Sequence, residues 1–191
     1  MSRKEMTSTA RPAWLSVSIL LLSGLTASAS SAEGMLSASG VQGGLIVHVG
    51  CGDGSLTSQL CADRFLVHGL DGNPDNVKRA RETLARAGVA DRAWIGHWSG
   101  DRLPYADGVV NLLIDEGVER RVSGEEISRV LVPGGVALIR APLDTQSSTL
   151  LASQSLPDLQ GWTRLVQPRP HTIDQWTHQG APPSLLPEQV H

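Results

Sequence analysis

The sequence predicts an α/β fold with a doubly wound, mostly parallel sheet and right-handed crossovers. Three observations predict it. Apolar runs alternate with helical patterns from Gly44 to Ile139. The first run, Leu45-Ile46-Val47 with Val49, is continuous rather than alternating, as a strand buried on both faces requires. It leads straight into glycines at alternate positions, Gly50, Gly52 and Gly54, which permit a tight turn and let a ligand approach the backbone.

The elements follow in order. After the first strand, Leu45 to Val49, a helix is expected from Ser55 to Ala62, with Leu56 and Leu60 one turn apart and facing the sheet. The second strand is Phe65 to Leu70, closing on Asp71. The next helix is well punctuated: Asn73 suits the N-cap, Pro74 the first helical position and Gly88 the stop. Val77, Ala80 and Leu84 form its apolar side. Ala93 to His97 is the third strand, and Val109 to Ile114 the fourth, ending on Asp115-Glu116. Ser123 and Glu126 then have the spacing of a capping box before Ile127, Val130 and Leu131. Pro133-Gly134-Gly135 is expected to turn the chain into a fifth strand, Val136 to Ile139. Beyond Arg140 the pattern fades into a weak helix, Ser147 to Leu156, and one short strand, Trp162 to Val166.

Composition bounds the remaining possibilities. With 191 residues, 40% of them hydrophobic, the chain holds one modest domain with its own core. The formal charge is −3 and the basic residues are scattered, so no basic stripe points to nucleic acid. Cys51 and Cys61 lack the paired spacing of a zinc site, so no metal is expected, and two thiols are the simpler reading than a disulfide.

The ends read differently from the middle. Arg3, Lys4 and Arg11 precede the apolar run Ala13 to Leu22, with small residues through Ala32. This is the layout of a secretory signal over residues 1–32, cut before Glu33 or, alternatively, after Ala27-Ser28-Ala29. The run is shorter than the ~20 residues of a spanning helix, so no stable membrane span is expected after cleavage. Export to the periplasm or the exterior is the expectation, and a cytoplasmic domain with a misread start the alternative. Residues 33–43 read as a Ser/Gly/Ala-rich linker, 44–166 as the domain, and 167–191 as a Pro-rich, disordered tail.

The loop chemistry narrows the ligand. The dinucleotide fingerprint puts its third glycine five residues after the first, where this chain has Ser55. No Lys follows, which excludes a Walker loop. Asp53 inside the loop would repel a pyrophosphate and tolerate a cationic ligand. Asp71 stands at a strand end, where a carboxylate can accept ribose hydroxyls.

VGCGDG, Asp71, LPYADG and RVLVPGG, in this order and spacing, resemble the class I S-adenosylmethionine-dependent methyltransferases of bacteria over Gly44 to Arg140. The resemblance implies a truncated Rossmann-like methyltransferase fold, S-adenosyl-L-methionine as cofactor and methyl transfer to an unknown acceptor. It implies cofactor contacts from Gly50, Cys51, Gly52, Asp53 and Gly54, from Asp71, and from Ser99 and Gly100 after the third strand. Asp115 and Glu116 are the candidates for acceptor-side catalytic groups, which methyl transfer needs only where the acceptor must lose a proton.

Two positions depart from the family pattern. His48 stands where the first strand usually carries an acid near the cofactor's amino group, and Ser99 where an Asp usually meets the adenine amino group, with Asp101 a neighbouring substitute. His48 and His97, each within an apolar strand, read as structural. The family continues after strand five with a helix and an antiparallel strand pair; here a single strand is legible, so acceptor-binding elaborations are expected to be absent or minimal. Gln167 to His178, with Ile173 to His178 at its centre, resembles a junction in exported bacterial proteins where such a domain precedes a quinoprotein-like β-propeller. A non-catalytic exported binding module is therefore the alternative to an enzyme.

Overall fold

The computed structural model describes residues 32–117, 122–140, 151–157 and 159–170. The expected signal, apart from Ala32, and the propeller-like Ile173 to His178 lie outside them. The chain folds as α1 Ala32–Ser39, β1 Gly44–Val49, α2 Ser55–Gln59, β2 Phe65–Asp71, α3 Pro74–Ala87, β3 Ala93–His97, β4 Val110–Asp115, α4 Gly124–Val130, β5 Leu131–Ile139, β6 Ala152–Ser155 and β7 Thr163–Val166. One seven-stranded sheet runs β3-β2-β1-β4-β5-β7-β6, parallel through β5 and antiparallel at β7 and β6.

Strand order reverses at the β1–β4 boundary, because β2 and β3 lie on one side of β1 and the later strands on the other. At such a switch point the connections leave the two strands in opposite directions and open a crevice at their carboxyl ends. Val49 pairs with Asp115 there, so the loops after β1 and β4 rise side by side.

Each sheet face carries its own core. On one face Ile46, Val67, Ile95, Leu112 and Leu138 meet Met35 of α1, Leu60 and, from α3, Val77, Ala80 and Leu84. On the other, Val47, Leu113, Ala137 and Leu165 meet Ile127 and Val130 of α4 and Trp98 and Leu103 of the β3–β4 connection. That connection, residues 98–109, contains no helix. Arg129 of α4 pins it instead, donating to Tyr105 O at 2.9 Å, Leu103 O at 3.3 Å and Asp107 Oδ1 at 2.6 Å.

Where local chemistry is explicit, structure follows it. The Asn73 side chain caps α3 by accepting from Asp75 N, and Gly88 ends the helix in the left-handed region at φ +70°. Ser123 caps α4 by accepting from Glu126 N at 3.2 Å. The reciprocal half of the expected capping box differs: the Glu126 carboxylate takes Leu103 N at 2.6 Å and Arg129 instead. Those bonds, that from Arg129 first, hold its carboxyl below the usual range.

Four expectations are corrected. The segment read as a linker forms α1, with Ala32 and Met35 buried against the core. Pro133-Gly134-Gly135 lies inside β5: Val110 pairs with Leu131 and Leu112 with Val136, leaving an irregularity within the strand rather than a turn before it. Where the described part of the weak helix falls, residues 152–155 form β6; residues 147–150 lie outside the described residues. With β7 it supplies an antiparallel pair where a single strand is expected, so the sheet is not truncated.

Candidate functional site

The crevice above β1 and β4 is a cavity of about 420 Å³ lined by Val49, Gly50, Gly52, Leu70, Asp71, Gly72, Asn76, Trp98, Ser99 and Glu116. Its floor is the glycine loop. Gly50 and Gly52 take φ +74° and +55°, and a side chain on Gly52 would meet nothing within 4 Å, so the loop backbone faces open space. Gly54 does a different job. A Cβ there would lie 2.9 Å from Ala80 Cα, so this glycine lets the start of α2 rest on α3.

Asp71 is only 5% exposed and is already engaged. Oδ2 accepts the Gly52 amide at 2.9 Å, while Oδ1 accepts Asn73 N at 2.8 Å and the Asn76 side-chain amide at 3.0 Å. An ionised carboxylate offers about four acceptor sites. Three are spent on organising the loop and the start of α3. The side chain thus shapes the cavity wall while keeping an acceptor site for a ligand hydroxyl.

The sequence-predicted residues separate. Gly50, Gly52, Asp71, Ser99 and Glu116 line the cavity. Cys51 belongs to the loop, but its side chain is buried in the core against Gly69. Burial, reinforced by the Asp71 charge, pushes its thiol up to about 12. Both cysteines are free thiols. Asp53 is exposed and accepts Ser55 N at 3.0 Å, a turn-forming bond that holds its carboxyl below the usual range. Gly54 and Gly100 are not among the lining residues.

The two carboxylates after β4 also separate. Asp115 is 3% exposed, accepting Gly117 N at 2.8 Å and Val122 N at 3.1 Å, so it braces its own loop. Glu116 turns into the cavity. His97 is exposed, with Nε2 3.0 Å from Gly72 O, and is not among the lining residues. His48 is fully buried, with Nδ1 2.8 Å from Thr57 Oγ1 and Nε2 3.1 Å from Glu116 Oε1.

Sequence reasoning missed Asn76 and Trp98. Asn76 sits on the first turn of a helix whose N-cap drew the attention, and nothing local marks it as facing the cavity. Trp98 follows β3 directly, donates Nε1–H to Arg102 O at 2.9 Å and lends the cavity a large apolar wall. Among the described residues no group of three or more His, Cys, Asp or Glu side chains could hold a metal. No described helix is long and apolar enough to cross a membrane.

Comparison with known proteins agrees with this geometry. Residues 46–135 match the family model described as a methyltransferase domain. The fold is that of S-adenosylmethionine-dependent methyltransferases. A Methanococcus maripaludis protein described as such an enzyme superposes with a TM-score of 0.62 at 18% identity, covering 74% of this chain and 85% of its own. An Aquifex aeolicus S-adenosylmethionine-dependent methyltransferase gives 0.56 at 14% identity, covering 71% and 88%. A chain from the complex of a Haloferax volcanii methyltransferase with the Trm112 methyltransferase activator gives 0.59 at 18%, covering 74% and 91%. No curated protein matches the sequence. The domain match and these neighbours support S-adenosylmethionine as the cofactor.

Proposed function

We propose that the domain binds S-adenosylmethionine across the β1–β4 crevice and transfers its methyl group to a second substrate. The observation that carries this reading is the cavity itself. A bare glycine floor, an Asp71 carboxylate for hydroxyls, apolar walls from Val49, Leu70 and Trp98, and a second carboxylate on Glu116 suit a ligand with a sugar, an aromatic base and a cationic end. Because the sulfonium is already a good leaving group, the chain's own task is to bind and orient the two reactants. Titrating S-adenosylmethionine and S-adenosylhomocysteine into the full chain by calorimetry tests it. Saturable heat with both is expected; no heat at millimolar ligand refutes the reading.

A second reading, a module that holds the ligand without turnover, is favoured by one observation. Among the described residues the cavity lining has no His, Lys, Tyr or Cys side chain, which leaves the Glu116 and Asp71 carboxylates as the groups there that could take a proton from an acceptor. Binding without any methyl transfer across acceptor classes would decide for it. Export belongs to either reading and rests on the basic, apolar and small-residue order of residues 1–32. The burial of Ala32 in the first turn of α1 favours the earlier cut, after Ala29, which leaves that helix whole. Sequencing the amino terminus of secreted material tests both points. Fusion to a downstream β-propeller rests on Gln167 to His178 and is tested by reading the gene beyond His191.

A further inference from the structure

We propose that Glu116, oriented by His48, holds the ammonium group of the cofactor's amino-acid portion, and that His48 is its positioning residue. This rests on the S-adenosylmethionine reading above. The ligand is cationic at its amino-acid end, so that end needs an anionic partner. Among the described residues Asp71 and Glu116 are the two carboxylates that line the cavity, one at the end of β2 and the other just after β4. Asp71 has three N–H donors on its oxygens and one acceptor site to spare, which suits a hydroxyl. Glu116 is differently engaged. Oε1 meets His48 Nε2 at 3.1 Å, while among the described residues Oε2 has only the exposed Arg140 guanidinium, 3.9 Å away.

The placement is built, not incidental. His48 is a fully buried polar residue on central strand β1, and Thr57 of α2 fixes its ring from the other side at 2.8 Å. An ionised carboxylate only accepts, so Nε2 carries the proton toward Glu116. Nδ1 then accepts the Thr57 hydroxyl in the neutral ring, or donates to it in the imidazolium. Glu116 N donates to Val49 O at 3.2 Å, and its Cβ lies 3.7 Å from where a Cβ on Gly50 would stand. The side chain therefore lies over the glycine loop, beside the place where the ligand backbone would rest. A strand-one carboxylate is replaced by a strand-one imidazole that presents a carboxylate from the neighbouring strand.

Calorimetry with three ligands tests this: S-adenosylmethionine, S-adenosylhomocysteine and 5′-methylthioadenosine, which lacks the amino-acid portion. Glu116→Gln should weaken the first two about tenfold each and leave the third unchanged, since it removes one charge-assisted hydrogen bond. His48→Asn, whose amide reaches the Thr57 side but not Glu116, should do the same. His48→Gln, whose amide reaches the Nε2 position, should retain wild-type affinity. A loss confined to S-adenosylmethionine would place Glu116 at the sulfonium and overturn the proposal, as would equal loss for all three ligands or wild-type affinities in Glu116→Gln. A wild-type chain that binds none of the three overturns the cofactor reading itself, and this assignment with it.

Discussion

The Asp71 carboxylate accepts the Gly52 amide at 2.9 Å, tying the end of β2 to the middle of the loop after β1. The same side chain bonds Asn73 N, where α3 begins. A residue expected to contact a ligand is therefore also the fastener of the surface that the ligand meets. The two roles separate experimentally, because one affects the empty protein and the other does not.

Asp71→Ala should abolish ligand binding and also lower unfolding stability by about 1–3 kcal/mol, since it leaves three part-buried N–H donors without their acceptor. Urea unfolding and calorimetry on the same sample check both parts. A variant as stable as wild type would show that the loop does not depend on this carboxylate.

Glycines with the same backbone conformation should respond differently to a methyl group. At Gly54, φ is +79° and a Cβ would press on Ala80 backbone at 2.9 Å, so Gly54→Ala should cost about 2–4 kcal/mol from strain and overpacking together. At Gly88, φ is +70° but the space is open, so Gly88→Ala should cost only about 1 kcal/mol. Paired denaturation curves decide, and equal losses would refute the packing argument.

His68 lies on β2 beneath the β3–β4 connection, stacked on Trp94 with ring centroids 4.9 Å apart, and Tyr105 Oη is 2.6 Å from its Nδ1. Burial pushes its ring down to about 4 and the Tyr105 hydroxyl up. The neutral ring thus accepts from the phenol. Since the unfolded chain binds the proton more readily, this residue contributes stability above about pH 6.5 that is lost as pH falls toward 4. Imidazole NMR signals should show His68 uncharged at pH 6.5; titration at the ordinary value would refute it.

Thiol reactivity should follow burial. Cys51 is buried and pushed up to about 12, whereas Cys61 is partly exposed and raised less. Native alkylation followed by mass spectrometry should find the label on Cys61 well before Cys51. Modification of Cys51 at the same rate would mean that the loop opens readily.

How much of this was legible in advance depended on whether local chemistry or tertiary context decides. Asn73-Pro74 and Gly88 punctuate α3 because capping is local, and β1 announced itself by an apolar run that only a doubly covered strand can hide. Helix α1 carried no such mark. Its Ser/Gly/Ala composition resembles a linker, and the helix is stabilised by burying Ala32 and Met35 against distant strands. Strand β6 is Ala-Ser-Gln-Ser with all four residues exposed, so its pairing with β7 comes from backbone hydrogen bonds at a sheet edge and leaves no hydrophobic pattern. At the site, Gly50, Gly52 and Asp71 were readable from order and spacing. Which of Asp115 and Glu116 faces the cavity was not, because adjacent carboxylates after a strand are told apart only by the loop that each one binds.

The docking of α1 has a consequence for the order of assembly. This helix precedes every described strand, yet it rests beside β5, and Arg164 of β7 donates to Ser39 O at 3.1 Å. The Arg164–Ser39 bond joins positions 125 residues apart, so this contact of α1 forms only after β7 has been made. Helix α1 thus acts as a late clasp between the two ends of the described domain, and removing β7 would take away the donor that Ser39 O receives from Arg164.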